Sequence, residues 1–417
     1  MRDRPPVIML VAKAFQRPDI PRARQETRTL TDAGFRVGVL AWDRELEYNV
    51  RQVMDGVDVY SIRTFNLSKF SRAGLIFGGF LFQFLVVLHV VRAIQRINER
   101  PILHVHDINT LLPGFLLRKL RLASALIYDC REVTHAVYSE WLHPLLGAIV
   151  YALEEATVPE VDAVITVNDV IAEHFQKSGR PVSVVYNCPR LSDIPRVTRK
   201  EARTILGLPA HAFIVSYVGL IRIGCGLELL VEVAARDGSK TVQYLAVGDG
   251  PLSDWLADVV KKKNLESHFM KLPRVPRDKA LLYTIASDAT WAVYPTSINA
   301  RTASPWKLFE SMACGVPVVV DSGTYQSRIV KRFGCGLILQ QHDPQNILRA
   351  LLELSRDSIA CRRMSEAGRR AAQTVFNWEN MSRQLIKAYS DSLGMKRIPA
   401  GWVDAHCDSE SVRGVGS

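Results

Sequence analysis

The sequence has few cysteines, and their spacing marks no known site. Its seven cysteines are scattered, and no two form a Cys-x-x-Cys pair. This argues against a zinc finger or a disulfide framework and is typical of a reducing compartment. Gly-x-Ser-x-Gly, His-Glu-x-x-His and Walker A sequences are missing too. We therefore expect none of the hydrolase, zinc-protease or P-loop chemistries that these sequences mark.

Acidic residues are fewer than basic ones, and the formal net charge is +11. Such an excess of positive charge is typical of proteins that bind nucleic acid, an anionic membrane surface or anionic substrates. Zinc-finger and aromatic RNA-binding signatures are missing, so we expect no nucleic acid partner. A cleavage site of small residues does not follow the apolar start VIMLVA, which we interpret as a buried strand rather than a signal peptide.

Long stretches without strand or helix patterning are also rare, and the chain of 417 residues is long enough for two domains. Apolar strands alternate with helical patterns in both halves, which predicts two facing Rossmann-like, doubly wound α/β domains. The predicted segments are the first domain 1–187, the linker 188–200, the second domain 201–375, a C-terminal helix 376–393 and a loose tail 394–417. Seven strands are predicted in the first domain: Val7–Val11, Phe35–Ala41, Val57–Ile62, Ile102–His106, Ala125–Asp129, Ala163–Val167 and Val182–Tyr186.

One apolar segment, 73–91, contains nineteen residues without a charge. Its length qualifies it as a transmembrane candidate. Strands predicted before and after it belong to one sheet, however, and a crossing would divide that sheet between two sides of the bilayer. We predict a helix that lies on the membrane surface, with an ordinary buried crossover helix as the alternative. Basic residues near it are available for anionic headgroups: Arg63, Lys69, Arg72, Arg92, Arg96 and Arg100.

The segment Ser304–Val320 reads SPWKLFESMACGVPVVV and predicts a helix followed by a buried strand. Ser304 is the predicted N-cap, and Gly315 is a suitable C-terminal residue. Lys307 and Glu310 are three residues apart, so they share one helix face near the helix N-terminus, where phosphate groups bind. The alternative is a structural Lys–Glu pair on a solvated helix.

A glycine-rich turn follows the predicted strand IVSYV and begins at Gly219. Such a turn allows backbone N–H groups to approach a phosphate, and Arg222 within it is a candidate for a diphosphate contact. Gly224 and Gly226 match the start of a dinucleotide fingerprint, but Leu229 replaces the third glycine, so a dehydrogenase is not favoured. The turn Val247-Gly-Asp-Gly-Pro is interpreted as structural.

In the first half, His104, His106 and Asp107 leave a strand and enter a helix. They are metal ligands by type, but no further ligand with supporting spacing follows, so we expect no metal there. The segment Tyr128–Glu132 ends the next strand and is a second source of acid–base or hydroxyl-binding groups.

These motifs resemble the retaining nucleotide-sugar glycosyltransferases of family 4, which have the GT-B fold. The resemblance covers residues 6–392 and is most specific at Ser304–Val319. Supporting matches are YVG at 217–219, GLE at 226–228, VGDGP at 247–251, HVHDINTLLPG at 104–114, YDCRE at 128–132, ITVND at 165–169, YN at 186–187 and FNWE at 376–379.

The resemblance implies a role for each candidate residue. Glu310 would hold the donor ribose, while Lys307 and the helix start at Ser304 would lie near the diphosphate with Gly219 and Arg222. Asn187 would border the hinge between the domains. The acceptor would face a loop with Arg22 and Arg24, together with Asp107 and Arg131.

Three positions depart from the family pattern. Thr302 stands where a glutamate is frequent, Cys225 where the turn often carries Arg or Lys, and Arg131 where a histidine is common. The first removes an expected sugar contact, and the second leaves the diphosphate to Arg222 and Lys307.

We therefore predict an enzyme that transfers a sugar from a nucleotide-diphosphate donor to an acceptor hydroxyl with retention and without a metal or other cofactor. The apolar segment 73–91 points to a glycan or lipid-linked acceptor and to cell-surface polysaccharide, glycolipid or lipid-linked glycan synthesis. The expected location is the cytoplasm, peripheral or monotopic at the inner face of the cell membrane. A non-catalytic GT-B partner subunit and a GT-B sugar-nucleotide epimerase are the alternatives.

Overall fold

The structure, a computed structural model, describes residues 5–15, 21–64, 72–294 and 301–394. The chain forms two compact units. The first unit holds the residues up to Tyr186 and those from Met381 onward, and the second holds Asn187–Asn380. The predictions for residues 1–4, for Lys69 and for the tail beyond residue 394 lie outside the described residues.

The first unit contains one eight-stranded sheet in the order β3-β4-β2-β1-β5-β6-β7-β8. Its strands are β1 Val7–Val11, β2 Val37–Asp43, β3 Arg51–Met54, β4 Val57–Arg63, β5 Ile102–His106, β6 Ala125–Cys130, β7 Ala163–Thr166 and β8 Val182–Val184. All neighbouring strands are parallel except β3 and β4. The predicted strands are thus present, and their ends differ from the predicted ones by at most two residues.

Strand β3 was missed by the sequence prediction, which placed no strand between β2 and β4. It pairs antiparallel with β4 through a two-residue turn. Asp55 and Gly56 both have positive φ in this turn, 50° and 77°, and Asp-Gly is the favoured pair for such a hairpin. The signal was therefore present in the sequence.

The α-helices described in the first unit before Tyr186 are α1 Pro21–Asp32, α2 Arg72–Ile97, α3 Ile108–Lys119, α4 Thr134–Trp141, α5 Pro144–Thr157 and α6 Asp169–Phe175. Strand β4 precedes α2 and β5 follows it, and both strands lie in the one sheet. This confirms the topological premise against a membrane crossing by the segment 73–91.

Helix α2 has a buried side and an exposed side. Phe82, Val86 and Val90 are fully buried in the core of the first unit, and Trp42 stacks on Phe82 with ring centroids 4.5 Å apart. Three phenylalanines on the other side are 61–66% exposed: Phe77, Phe80 and Phe84. Within the described residues α2 is the one helix long and apolar enough to cross a membrane, a test that core helices also pass.

The second unit contains a six-stranded parallel sheet in the order β11-β10-β9-β12-β13-β14. Its strands are β9 Phe213–Val218, β10 Val242–Val247, β11 Phe269–Leu272, β12 Ala289–Trp291, β13 Val318–Asp321 and β14 Gly336–Leu339. Its helices are α7 Arg199–Leu206, α8 Leu227–Arg236, α9 Ser253–Lys262, α10 Arg277–Ala286, α11 Trp306–Cys314, α12 Tyr325–Phe333, α13 Pro344–Arg356 and α14 Ser358–Thr374. The last helix, α15 Trp378–Ser392, begins in the second unit and ends in the first.

Local sequence explains where α7 begins and ends. Thr198 and Glu201 form a reciprocal capping box at its N-terminus, and Gly207 ends it with a left-handed conformation. The last two residues of the predicted linker, Arg199 and Lys200, are therefore already helical. The doubly wound α/β arrangement that the sequence predicted is present in both units.

Candidate functional site

Two glycine turns lie side by side at the carboxyl ends of β9 and β10 in the second unit. Gly219 donates its N–H to the Val247 carbonyl at 3.0 Å, and Ile221 donates to the Asp249 carbonyl at 2.9 Å. A Cβ added to Gly248 would lie 1.9 Å from the carbonyl oxygen of Gly219. Only glycine permits this approach, so the second turn fixes the position of the first.

Lys307, in the first turn of α11, extends to this pair of turns. Its ammonium nitrogen lies 3.6 Å from the ring centre of Tyr217 and 5.3 Å from that of Tyr294. An ideal Cβ on Gly219 would lie 3.4 Å from the same nitrogen. The structure therefore brings Lys307 and Gly219 together.

The electrostatic surroundings of Lys307 favour an anion. Burial lowers the pKa of Lys307 to about 7, and the positive charge of Arg222 acts in the same direction. No carboxylate forms an ion pair with Lys307 among the residues that the structure describes. The Glu310 carboxylate acts in the opposite direction, but its ion pair is with Arg277. Two cations therefore meet at the turn without an ion-pair partner among the described residues, which is the arrangement that a phosphate group stabilises.

Arg222 lies in the turn after Gly219, as predicted, and is half-buried. One of its guanidinium nitrogens donates to the Ile223 carbonyl at 3.4 Å. Cys225 is buried, so the position that often carries a cation in family 4 supplies none here.

The predicted start of α11 is wrong by one residue. The helix begins at Trp306, and Pro305 occupies the N-cap position without a side-chain cap. Proline lacks an N–H and suits this first position, which moves Ser304 out of the helix. The Ser304 hydroxyl is buried without a hydrogen-bond partner within the described segments, and the Ser304 carbonyl accepts from the Asn187 side chain at 3.0 Å.

Glu310 has a partner that the sequence analysis did not identify. Arg277, at the start of α10, forms an ion pair with Glu310 at 2.8 Å, and its guanidinium lies 5.5 Å from the Trp306 ring centre. Arg277 and Glu310 are 33 positions apart in the sequence, so spacing could not reveal the pair. Lys307 and Glu310 line one small pocket with Ser216, Val218 and Trp291.

The structure brings Asp107 and Arg131 together in the first unit, at the carboxyl ends of β5 and β6. Two of the guanidinium nitrogens of Arg131 donate to the Asp107 carboxylate. Burial opposes ionisation of Asp107, but Arg131 outweighs it and holds the pKa of Asp107 below its usual value. Asp107 is therefore an ionised carboxylate and not a proton donor at neutral pH.

Arg22 lies on α1 with its side chain buried, and not in the loop that the family resemblance implied. It donates two hydrogen bonds to the Asp129 carboxylate, at 2.8 and 3.1 Å, and pairs with Glu26 at 2.8 Å. A buried guanidinium requires such carboxylates. Its position excludes a surface role facing an acceptor.

His104 and His106 lie in the same buried network. His106 faces the Glu26 carboxylate at 3.2 Å, and His104 shares a hydrogen bond of 2.7 Å with the hydroxyl of Tyr389 on α15. Ligand atoms of Glu26, His104, His106 and Asp129 lie within 4.8 Å of one another. Sequence spacing did not reveal the two carboxylates, but Arg22 already supplies the cation that they require.

Comparison with known families gives an independent assignment. Residues 198–371 match the family described as Glycosyl transferases group 1, and residues 20–188 match the Glycosyl transferase 4-like domain. The candidate residues of the second unit lie within the first match, and Asp107 and Arg131 lie within the second.

Two curated relatives are D-inositol 3-phosphate glycosyltransferases. The enzyme of Corynebacterium kroppenstedtii is 26% identical over 213 residues, which are 48% of this chain and 44% of that protein. The enzyme of Thermobifida fusca is 25% identical over 260 residues, which are 59% of this chain and 58% of that protein. The chain spans about half the length of the curated relatives it matches.

Solved structures show the fold over nearly the whole chain. Sucrose-phosphate synthase from Thermosynechococcus elongatus has a TM-score of 0.76 at 19% identity and covers 93% of this chain and 99% of that one. HepE from Anabaena, in complex with UDP and glucose, has a TM-score of 0.71 at 16% identity and covers 93% of this chain and 100% of that one. The fold is that of the GT-B glycosyltransferases. Along the chain, the match to the Glycosyl transferase 4-like domain at residues 20–188 is followed by the match to Glycosyl transferases group 1 at residues 198–371.

Proposed function

We propose that the protein transfers a sugar from a nucleotide-diphosphate donor to an acceptor hydroxyl, with retention at the anomeric carbon. The observation that carries this proposal is the approach of Lys307 and Arg222 beside the glycine turn, with no acidic partner for Lys307 within the described residues. The donor diphosphate is the anion that best fits these two cations.

The leaving diphosphate would be stabilised by fixed positive charge. A bound diphosphate would favour the ammonium form of Lys307, whose pKa is about 7 without it. Ser304 precedes the N-terminus of α11, so its unpartnered hydroxyl and the helix dipole would act on the same phosphate. Glu310 would accept hydrogen bonds from the donor ribose. These groups supply the electrostatic stabilisation without a metal or other cofactor.

Asp107 and Arg131 would bind the acceptor. An ionised carboxylate accepts hydrogen bonds from sugar hydroxyls, and its pairing with Arg131 fixes its orientation. Retention is supported by the family resemblance, and the anomeric configuration of the first product, read by proton NMR, tests it directly.

A lipid-linked or other membrane-bound glycan is the acceptor class that we favour, which places the enzyme in cell-surface polysaccharide, glycolipid or lipid-linked glycan synthesis at the inner face of the membrane. The support is the exposed apolar surface of the first unit. Helix α3 packs against α2 and α5, and all three helices expose large apolar side chains: Phe77, Phe80, Phe84, Leu116, Leu120, Leu145 and Ile149. Exposed arginines on the same helices or just beyond them suit anionic headgroups: Arg92, Arg96, Arg100 and Arg121.

The curated relatives are named for D-inositol 3-phosphate, so a soluble polyol phosphate is the competing acceptor.

The test is nucleotide release from a panel of UDP-, GDP-, ADP- and dTDP-sugars, with lipid extract, inositol phosphate or no acceptor. Lys307→Met and Glu310→Ala are the site variants, and Lys279→Met is the matched control, since Lys279 is exposed on α10. We expect release from one donor and a loss of roughly 100- to 1,000-fold in Lys307→Met.

The remaining outcomes separate the alternatives. Nucleotide binding without release from any donor would favour a non-catalytic GT-B partner subunit. A changed sugar in the absence of any acceptor would favour an epimerase. Equal activity of Lys307→Met and the Lys279→Met control would overturn the assignment of the donor site.

A further inference from the structure

Three helices of the first unit bring two imidazoles and a carboxylate together outside the proposed donor and acceptor groups. His135 lies on α4, Glu154 on α5 and His174 in the last turn of α6. One ligand atom of each lies within 4.8 Å of the other two. Nε2 of His174 is 3.7 Å from Oε2 of Glu154.

The charge on Glu154 is not balanced by a lysine or arginine. Its side chain is 2% exposed, and within the described residues its one ion-pair partner is His174. Tyr128 donates a hydrogen bond of 2.6 Å to the other carboxylate oxygen, which leaves Oε2 facing the imidazoles. A buried carboxylate needs a compensating positive charge.

The imidazole nitrogens that face this carboxylate are free to coordinate. Nδ1 of His135 and Nε2 of His174 are buried and have no hydrogen-bond partner among the described residues. Each imidazole would coordinate in its neutral form, as a metal ligand must. The nearby Glu154 carboxylate raises the pKa of His174, so a proton on His174 is the competing occupant.

The buried network around Arg22 differs from this group in its source of positive charge. There too, histidines and carboxylates converge, but the guanidinium lies 2.8 Å from both Glu26 and Asp129 and provides the positive charge. The group on α4, α5 and α6 has the same kinds of ligand without an arginine.

A glycine on α5 allows α4 and α5 to pack closely. A Cβ added to Gly147 on α5 would lie 1.7 Å from the Ser139 hydroxyl and 2.6 Å from the His135 carbonyl oxygen. Gly147, Tyr151 and Glu154 follow one another at helical spacing, so they share the face of α5 toward α4. Tyr151 lies edge-on to His135, with ring centroids 5.1 Å apart. The glycine therefore allows the approach that places His135 beside Glu154.

We propose that His135, Glu154 and His174 bind a divalent transition metal of the zinc class, which ties α4, α5 and α6 together. Two imidazoles and one carboxylate are an established zinc ligand set, and a water molecule completes the tetrahedron. The ion would neutralise Glu154 and satisfy both imidazoles. It takes no part in the sugar transfer proposed above.

The test uses the untagged full chain stripped with a chelator and then titrated with Zn²⁺ alone, with Co²⁺ as the spectroscopic probe. We expect one equivalent of Zn²⁺ to remain after gel filtration, and tetrahedral Co²⁺ absorption bands that Zn²⁺ abolishes. Saturating Zn²⁺ should raise the Tm of the first unit by roughly 5–10 °C. The variants are His135→Gln and His174→Gln, which keep the size of a half-exposed side chain, and the control is His211→Gln, an exposed histidine of the second unit.

Loss of the bound equivalent in both variants, but not in His211→Gln, supports the site. Two results overturn it. One is a wild-type chain that retains no Zn²⁺, which assigns the charge balance of Glu154 to a proton on His174. The other is retention of the equivalent in both variants, which places the metal elsewhere. Circular dichroism of each variant checks that the fold is intact.

Discussion

The ammonium nitrogen of Lys307 lies 3.6 Å from the centre of the Tyr217 ring. A cation over an aromatic face is attracted to it, but this attraction is weaker than pairing with an anion. Arg222 adds a second positive charge nearby. Burial, together with this second charge, lowers the pKa of Lys307 to about 7.

The first prediction is that donor affinity falls as pH rises above 7. Without donor, burial lowers the pKa of Lys307 to about 7, while a bound diphosphate would raise it, so binding takes up a proton above pH 7. Affinity should be nearly constant below pH 6.5 and should fall by up to about tenfold per pH unit above 7.5. Calorimetry with a nucleotide sugar measures this, because its diphosphate does not titrate in that range.

Lys307→Arg is the control for this pH dependence, since a guanidinium stays charged throughout. Its donor affinity should be flat between pH 6 and 9, whatever its absolute value. A wild-type protein with an equally flat profile would contradict the assignment of Lys307.

The second prediction concerns the two glycine turns. Gly250 has a φ of 153°, and an added Cβ would lie 2.3 Å from the Ile221 carbonyl oxygen. Gly250→Ala should lower the free energy of unfolding of the second unit by about 2–4 kcal/mol. It should also weaken donor binding, because the displaced turn carries Arg222 with it. Urea unfolding and donor titration measure the two effects.

Gly238→Ala is the matched control for Gly250→Ala. Gly238 has no atom within 4 Å of an added Cβ, so its substitution should change stability by less than about 1 kcal/mol. Equal effects of the two substitutions would contradict the packing of one turn against the other.

Sequence reasoning succeeded for local relationships and failed for distant ones. Lys307 and Glu310 could be placed on one helix because their spacing alone decides it. The pairing of Glu310 with Arg277 depends on how α10 packs against α11, and no spacing rule contains that information. Arg22 was placed at a surface for the same reason: its partner Asp129 is 107 positions away.

The His135, Glu154 and His174 group was also beyond sequence reasoning, because each residue lies on a different helix. The missed strand β3 is a different kind of error. The Asp55-Gly56 hairpin signal is local and was overlooked. Fold class follows from repeated local patterns, whereas the contacts within a site follow from their packing.

The third prediction is that the exposed side of α2 binds anionic membranes. Phe77→Asp/Phe80→Asp/Phe84→Asp should weaken binding to vesicles containing anionic lipid by more than about tenfold, because each phenylalanine loses its burial in the bilayer. The three side chains are exposed, so the fold should be retained. Vesicle sedimentation measures binding, and added salt should weaken it in the wild type by screening the arginines.

A variant with the same added charge elsewhere tests whether the effect is specific. Val53, Ile205 and Ile359 are 61–80% exposed, and Val53→Asp/Ile205→Asp/Ile359→Asp should bind vesicles nearly as the wild type does. Equal loss in both triple variants would assign the effect to net charge. Unchanged binding of the α2 variant would exclude this helix as the membrane contact.

The fourth prediction concerns the attachment of α15 to the first unit. The hydroxyl of Tyr389 and Nδ1 of His104 share a hydrogen bond of 2.7 Å, and both side chains are fully buried. Tyr389→Phe leaves Nδ1 without a partner in the core, which costs about 1–3 kcal/mol.

Tyr244→Phe is its counterpart in the second unit, since the Tyr244 hydroxyl is buried and has no hydrogen-bond partner within the described residues. Removing an unsatisfied hydroxyl should leave stability unchanged or slightly higher. A chain of two units does not follow the two-state approximation of a small single domain, so hydrogen exchange at increasing urea, read separately for β5 and β10, is the suitable measurement. Faster exchange of β5 in Tyr389→Phe, with β10 unchanged in Tyr244→Phe, is the expected result. Unchanged exchange of β5 in Tyr389→Phe would show that α15 is held by its apolar contacts and that the His104–Tyr389 hydrogen bond contributes no stability.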